Sequence, residues 1–314
     1  MAHSAVLVPT SELSHEEWLR ERRKGIGGSD AAAILGLNKW KSPIQVYMEK
    51  IGELDSDVSS EAAYWGQVLE DVVAREFARR TGKKVRNRNA ILQHPDYPWM
   101  LANVDRLIVG ERSGLECKTA SEYLKDEWKD DEVPAPYLIQ CQHYMAVTGY
   151  DAWWIAVLIG GNKFQYKKIE RDEEIIQMLI EAEEEFWNGH VVPRIPPEFD
   201  GSEASEKLLR SLYPEAEPDS ETELPNEADK IIEALQQINT EIDDLTELKK
   251  SYENKLKGML GEFERGIASN HIVTWKTVTT NRIDTKRLKT ERPDIYEQYL
   301  KPSISRRFTI KEAR

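Results

Sequence analysis

The sequence predicts a mixed α/β layered domain around one central sheet, followed by a separate helical and basic C-terminal region. Two observations carry this. Short apolar runs with strand-like alternation lie between longer segments with helical spacing, and Gly, Pro and Asn punctuate them. A stretch rich in Pro, Glu and Ser then separates these elements from a helix with heptad spacing.

Taken in order, "SHEEWLRERRK" at 14–24 reads as a short helix, with Ser14 and Glu17 as a capping box. "GIGGSDAAAILG" at 25–36 is a glycine-rich turn entering a small-residue helix. "SPIQVYMEKIG" at 42–52 is a helix with Ser42 as cap and Pro43 at its first position. Residues 60–81 form a long helix that Gly82 stops. Strands are expected at about 84–92, 99–109 and 113–119, the last two joined by "GERSG". Residues 134–148 are helical, started by Pro134 and Pro136 and ended by Gly149. "DAWWIAVLIGGNKFQYKKIE" is a hairpin turning at "GGN", and 172–189 is an acidic amphipathic helix.

These elements make up a first domain, residues 1–190. Residues 191–226 are expected to be an acidic linker. Over 227–265, steps of three and four run through Ala228, Ile231, Leu235, Ile238, Ile242, Leu245, Lys249, Tyr252, Leu256, Met259 and Phe263, and only Lys249 is not apolar. That pattern fits a coiled coil, or one long helix packed on its own domain. Residues 266–314 are expected to be a small basic α+β module, with strands in "IVTWKTVTT" and "ISRRFTIK" around a helical "DTKRLKTERPDIYEQYL".

The net charge is −13, which argues against a chain that binds polyanions over its whole surface. The charge is unevenly placed. Residues 198–229 carry 11 acidic and 2 basic side chains, whereas 18–50 carry 7 basic and 3 acidic, and 271–314 carry 11 basic and 5 acidic. Nucleic-acid binding is a local property and stays open. Two cysteines, Cys117 and Cys141, are too few for a disulfide framework or a four-cysteine metal or iron–sulfur site, and suit a reducing, cytoplasmic setting. There is no secretory signal pattern, no membrane-spanning run and no Walker motif.

Chemistry points to "RSGLECKTA". On a strand, Glu116 and Lys118 share one face, and Leu115 and Cys117 the other. "MLANVDRLIVG" puts Asp105 on the preceding strand, where a hairpin brings it near Glu116. Two carboxylates at close range repel unless a cation lies between them. A hard divalent cation, Mg²⁺ or Mn²⁺, fits oxygen ligands, with the Cys117 carbonyl as a further donor. Lys118 can then position or deprotonate a water and stabilise charge on a phosphate. Taken alone, the tripeptide reads as an ion pair of Glu116 with Lys118 or Arg106 at the exposed end of a sheet. Glu70, on the long helix, points either to the sheet end or to solvent. Gln140 and Tyr144 lie four apart, on one helix face, either at the site or at the polar edge of a core helix.

Together these residues carry a resemblance. "D105…E116-C-K118" resembles the PD-(D/E)XK nuclease signature. With "W65-G-x-x-L-E70" and "Q140-x-x-x-Y144" in this order, the chain resembles the lambda-exonuclease branch. "RRKGIGGSDAAAILGLNKWKSPIQVYMEK" and "HPDYPWMLANVDRLIVG" are similar to YqaJ-type viral recombinases, over about residues 15–190. The resemblance implies a PD-(D/E)XK, restriction-endonuclease-like α/β core with a central mixed sheet flanked by helices, carrying a C-terminal coiled-coil helix and a small α+β module. It implies Asp105, Glu116, the Cys117 carbonyl and Glu70 as metal ligands, Lys118 as catalytic lysine, and Gln140 and Tyr144 in support. Ser29 is implied to meet phosphate, and Arg22, Arg23 or Lys24 to hold a 5′-phosphate; a solvated helix end, where cations complement the dipole, is the alternative for that basic run.

The implied activity is a Mg²⁺-dependent deoxyribonuclease that degrades double-stranded DNA ends 5′ to 3′ and leaves 3′ overhangs. The implied setting is phage or prophage recombination in the bacterial cytoplasm, with a RecT-like single-strand annealing protein as partner and a homo-oligomer as the source of processivity. An endonuclease or nickase of the same fold, a non-catalytic DNA-binding scaffold, and an interaction protein built on the helical seam are the alternatives.

Overall fold

The computed structural model describes residues 5–55, 60–130 and 132–311. It divides into two compact units, Met1–Leu212 and Tyr213–Arg314.

The first unit opens with strand β1 (Ala5–Pro9) and helix α1 (His15–Arg22). Ser14 caps α1 as its residue type predicts: its hydroxyl accepts from the Glu17 amide, and Glu17 accepts from Ser14 in return. Strand β2 (Ile26–Gly27) leads into α2 (Gly28–Ile34) and α3 (Pro43–Ile51), and α4 (Glu61–Thr81) ends on Gly82 in the left-handed conformation. Strands β3 (Val85–Asn87), β4 (Ala90–Gln93), β5 (Met100–Asn103), β6 (Arg106–Ile108) and β7 (Ser113–Ala120) follow. A 3-10 helix (Glu122–Trp128), α5 (Ala135–Thr148), β8 (Ala152–Ile159), β9 (Lys163–Glu170), α6 (Glu173–Phe186), a π-helical turn (Trp187–Val191) and α7 (Glu203–Leu212) complete the unit.

The expected central mixed sheet is present, five-stranded and ordered β3-β6-β7-β8-β9, and among the described residues of the first unit a four-stranded sheet ordered β1-β4-β5-β2 accompanies it. The expected strands 84–92 and 99–109 each break in the middle, and their halves belong to different sheets. The chain leaves the larger sheet after Asn87 and returns to it at Arg106. Asp105 therefore sits on the bend between β5 and β6 rather than within a strand. Composition marks both segments as extended, but only pairing decides which neighbour each half takes.

The larger sheet is mixed. β7 and β8 run parallel, joined through α5, and the other neighbouring pairs are antiparallel. Side-chain alternation along β8 divides its residues between two cores. Trp153, Ile155, Val157 and Ile159 face α5, with Cys141 and Met145. Ala156 and Leu115 face α4, with Val73, Ala74 and Phe77. The sheet is thus covered by a helix on each face, which is why β8 is almost continuously apolar.

The linker expectation is corrected in part. Residues 203–212 form α7, whose Ala204 and Leu208 are buried, Leu208 in the core that holds Ile44, Val46 and Phe186. Its polar majority hid a single apolar stripe that finds cover on the first unit.

The second unit holds α8 (Glu227–Leu260), a hairpin of β10 (Arg265–Ala268) and β11 (His271–Thr274), α9 (Thr285–Glu291) and α10 (Pro293–Gln298). The expected strand in "ISRRFTIK" is not formed. β11 instead pairs with β10, the partner nearest in sequence, at the lowest loop-closure cost. No helix among the described residues is long and apolar enough to cross a membrane.

Candidate active site

β6 and β7 pair only at Arg106–Leu115 and Leu107–Gly114, so β7 loses its β6 neighbour just before Glu116. The Asp105 carboxylate takes over there, accepting the Cys117 amide at 2.8 Å. Since N–H and C=O of one strand residue point to the same side, the Cys117 carbonyl faces this opening too. The break between the two sheets thus creates the place where Asp105 meets β7.

Glu116 and Lys118 share a face, and that face looks onto α5. The Lys118 ammonium lies 2.6 Å from Glu116 Oε1 and 5.1 Å above the Tyr137 ring. The Gln140 amide donates to the same Glu116 oxygen at 2.8 Å and to the Tyr144 hydroxyl at 2.8 Å. Tyr144 in turn donates to the Asn103 carbonyl. Gln140 and Tyr144 are buried, so this network fixes the Glu116 rotamer from behind. The ion pair read from the tripeptide exists, but Glu116 is 3% exposed and lies inside the protein rather than at a solvated sheet end.

Burial pushes the Asp105 carboxyl well above the usual range, and the neighbouring Glu116 and Glu70 charges push it further the same way. Burial opposes the Lys118 charge, but the Glu116 and Asp105 carboxylates outweigh it and raise its pKa. Lys118 is therefore held as an ammonium among carboxylates, suited to neutralising charge more than to taking a proton. The Cys117 thiol is raised by burial, then by the same carboxylates, so it is no nucleophile.

Glu70 is placed beside this cluster, but its carboxylate is engaged elsewhere. It accepts from Arg106, whose buried guanidinium also bonds Asp71 and the Asp105 carbonyl. Arg106, a possible partner of Glu116 by sequence, pairs with Glu70 instead. Glu70, Asp71, Asp105 and Arg106 line one wall of a polar cavity of about 410 Å³, shared with Gln67, Asn87 and Asn103.

A second cavity, of about 310 Å³, opens at the start of α2. Arg22, Arg23, Ser29, Lys41, Glu49 and Lys50 line it, so cations outnumber carboxylates. Arg22 approaches the Ser29 hydroxyl at 3.4 Å and lies over the Trp18 ring. Arg23 is paired with Asp55 at 2.9 Å. Lys24 points away from the cavity to Glu21, at 2.6 Å, which leaves Arg22 as the member of the basic run that faces Ser29. Beneath the cavity Asp30, 1% exposed, accepts from Lys41 at 2.8 Å and from the Gly27 amide at 3.1 Å, and pairs with Lys50 at 2.6 Å. Burial opposes its ionisation, but Lys41 and Lys50 outweigh that and hold Asp30 well below the ordinary range.

The two places meet through α5. A Cβ built on Gly28 comes within 2.6 Å of the Tyr144 ring and 3.1 Å of Gln140. The glycine-rich turn is glycine-rich partly so that α2 can lie flat on the residues behind Glu116.

Comparison with known proteins bears on this arrangement. The model of the YqaJ-like viral recombinase domain matches residues 17–151. A protein of Bacillus subtilis (strain 168) called YqaJ is 50% identical over 310 residues, covering 98% of this chain and 97% of its own. The chain belongs to the YqaJ family. Among solved structures, the alkaline exonuclease LHK-Exo from Laribacter hongkongensis is similar: in its complex with dAMP it has a TM-score of 0.50, with 21% identity over 63% of this chain and 97% of its own. A second structure of LHK-Exo gives 0.48 and 18%, and a phage-related exonuclease from Haemophilus somnus 129PT gives 0.43 and 13%. The likeness at 0.50 is one of fold.

The residues of this YqaJ-family site fit a divalent cation. Glu116 Oε2 is buried and has no hydrogen-bond partner, although such an oxygen is costly to leave unpaired. Burial, then the Glu116 and Glu70 charges, disfavour Asp105 as an anion, and the carboxylates gathered here are hard oxygen donors. Among the described residues no three His, Cys, Asp or Glu side chains already converge as a ligand set, in keeping with Glu70 being held on Arg106. Sequence reasoning missed Asp30, Lys41, Glu49 and Lys50. Their signal was available: an aspartate followed at once by three alanines, and Lys41, Glu49 and Lys50 in and just before a helix otherwise rich in apolar residues.

Proposed function

We propose that this chain is a metal-dependent DNA exonuclease that acts 5′ to 3′ on double-stranded ends and leaves 3′ single-stranded overhangs for an annealing protein. The observation that carries it is the meeting of Asp105, Glu116 and Lys118 where β7 loses its strand partner, beside a cation-rich cavity that ends on Ser29. Asp105, the free oxygen of Glu116, the Cys117 carbonyl and Glu70 would hold Mg²⁺ or Mn²⁺. Such a cation supplies a water of lowered pKa and charge neutralisation for phosphoryl oxygens.

The chain's own groups do the remainder. Gln140 and Tyr144 keep Glu116 in one rotamer. Lys118 sets its ammonium against the negative charge that builds on the phosphate as the water oxygen bonds to phosphorus and the P–O3′ bond breaks. Arg22, Ser29 and Arg23 offer donors to a terminal 5′-phosphate, which would place the first phosphodiester toward Asp105. Membership of the YqaJ recombinase family supports DNA as substrate, and the likeness to an alkaline exonuclease described in complex with dAMP favours cutting from ends. The cytoplasm of a bacterium carrying the phage or prophage is the expected setting.

The test compares linear duplex DNA bearing a 5′-phosphate with the same DNA closed in a circle, each with Mg²⁺, with chelator, and with Lys118→Ala. Loss of the linear DNA alone, metal-dependent and abolished by the substitution, is the expected outcome. Cutting of the circle would replace the exonuclease by an endonuclease. Binding of both without cutting would replace it by a scaffold.

A further inference from the structure

Helix α8, 34 residues and about 50 Å long at the usual helical rise, carries an apolar stripe without cover. Ile231, Ile238, Leu245, Tyr252, Leu256 and Met259 are 44–81% exposed, and of the whole helix only Leu260 is buried. A single helix surface of this kind in water calls for a second helix. The spacing of three and four defines which one: an a/d seam pairs with another a/d seam. The chain provides just such a seam in a second copy of itself.

We propose that α8 pairs with α8 of a second copy of this chain, antiparallel, as a two-stranded coiled coil. Two observations choose the direction. Lys249 occupies an a position in the middle of the seam. In a parallel pair the two lysines would face each other across the core; antiparallel, each lies against an apolar d residue, Ile238 when the helices overlap fully, and its stem can reach the rim. The ends of the helix also differ in sign. Residues 227–238 carry three acidic side chains and one basic, and 249–257 carry four basic and one acidic. An antiparallel pair lays acidic end along basic end twice, whereas a parallel pair lays like on like. The acidic middle, 241–247, meets itself in either arrangement, so the ends decide. Each dimer would then carry two nuclease units, and one bound unit raises the local concentration of DNA at the other. The proposal is independent of the nuclease reading.

Sedimentation of the full chain tests it, beside Leu245→Asp. The expected result is a dimer that dissociates about a hundredfold or more readily in the variant, with helix content of the nuclease unit retained. A monomeric wild type, or a dimer indifferent to Leu245→Asp, would overturn the proposal. Direction is read by oxidation of single-cysteine additions, with the wild type, which has its own two cysteines, as control. Ile231→Cys and Leu256→Cys should each fail to cross-link with themselves and should cross-link when mixed and re-equilibrated. Self-cross-linking of each alone would mean a parallel pair and would equally overturn it.

Discussion

Replacing Asp30 by Asn keeps the shape of the side chain and removes its charge. In the native protein that carboxylate lies between Lys41 at 2.8 Å and Lys50 at 2.6 Å, and all three side chains are largely shielded from water, at 1%, 19% and 5% exposure. The amide left behind can still accept from the Gly27 N–H, but two ammonium groups lose their main counter-charge. Lys41 retains Glu49 at 2.5 Å, whereas Lys50 retains only the Arg22 carbonyl. Breaking a buried pair by removing one partner costs about 3–5 kcal/mol. Retention of Glu49 moves the expectation to the lower end, about 3 kcal/mol, a large share of the roughly 5–15 kcal/mol that holds a domain together. Urea unfolding followed by tryptophan fluorescence is the assay, since eight of the nine tryptophans lie before residue 213 and report on the first unit. The pH dependence has a definite sign. The folded Asp30 pKa lies below its unfolded value, so its contribution is complete above the unfolded value of about 4 and disappears as pH falls through the folded one. The gap between wild type and variant should hold from neutrality to about pH 4 and narrow only in stronger acid. A loss under about 1 kcal/mol, of the size seen for exposed pairs, or a gap already closing at pH 6, would refute the reasoning.

Two further outcomes are expected. Gly28→Ala sets a methyl 2.6 Å from the Tyr144 ring, and should cost about 1–3 kcal/mol in unfolding experiments while lowering DNA cleavage more than DNA binding, because the displaced ring supports Gln140 and Glu116. Glu116→Gln removes one of the two carboxylates that repel at the site, and calorimetry should show divalent-cation binding weakened at least about tenfold.

The sequence by itself determined the secondary elements that carry chemistry. Ser14 with Glu17, Pro43 at the first position of α3, and Gly82 and Gly149 fix the helix ends through local backbone needs that act within a few residues, whereas the Ser42 hydroxyl does not make the cap hydrogen bond its residue type predicts. Alternation put Glu116 and Lys118 on one face of β7, and spacing put Gln140 and Tyr144 on one face of α5. Both are properties of the chain's own period, so they survived folding unchanged.

Only tertiary structure decided the rest. That Asp105 stands on a bend between two sheets, capping the Cys117 amide, depends on which strands pair, and pairing is settled by distant partners. That Glu70 rests on Arg106, and that Arg22 rather than Lys24 faces Ser29, depends on helices meeting at angles no local signal records. The apparent linker at 203–212 became a helix because its Leu208 found a core that includes residues of α3 and α6. Asp30, Lys41 and Lys50 lie 11 and 20 positions apart and became one buried cluster for the same reason: charges reveal their partners only once folding removes the water between them.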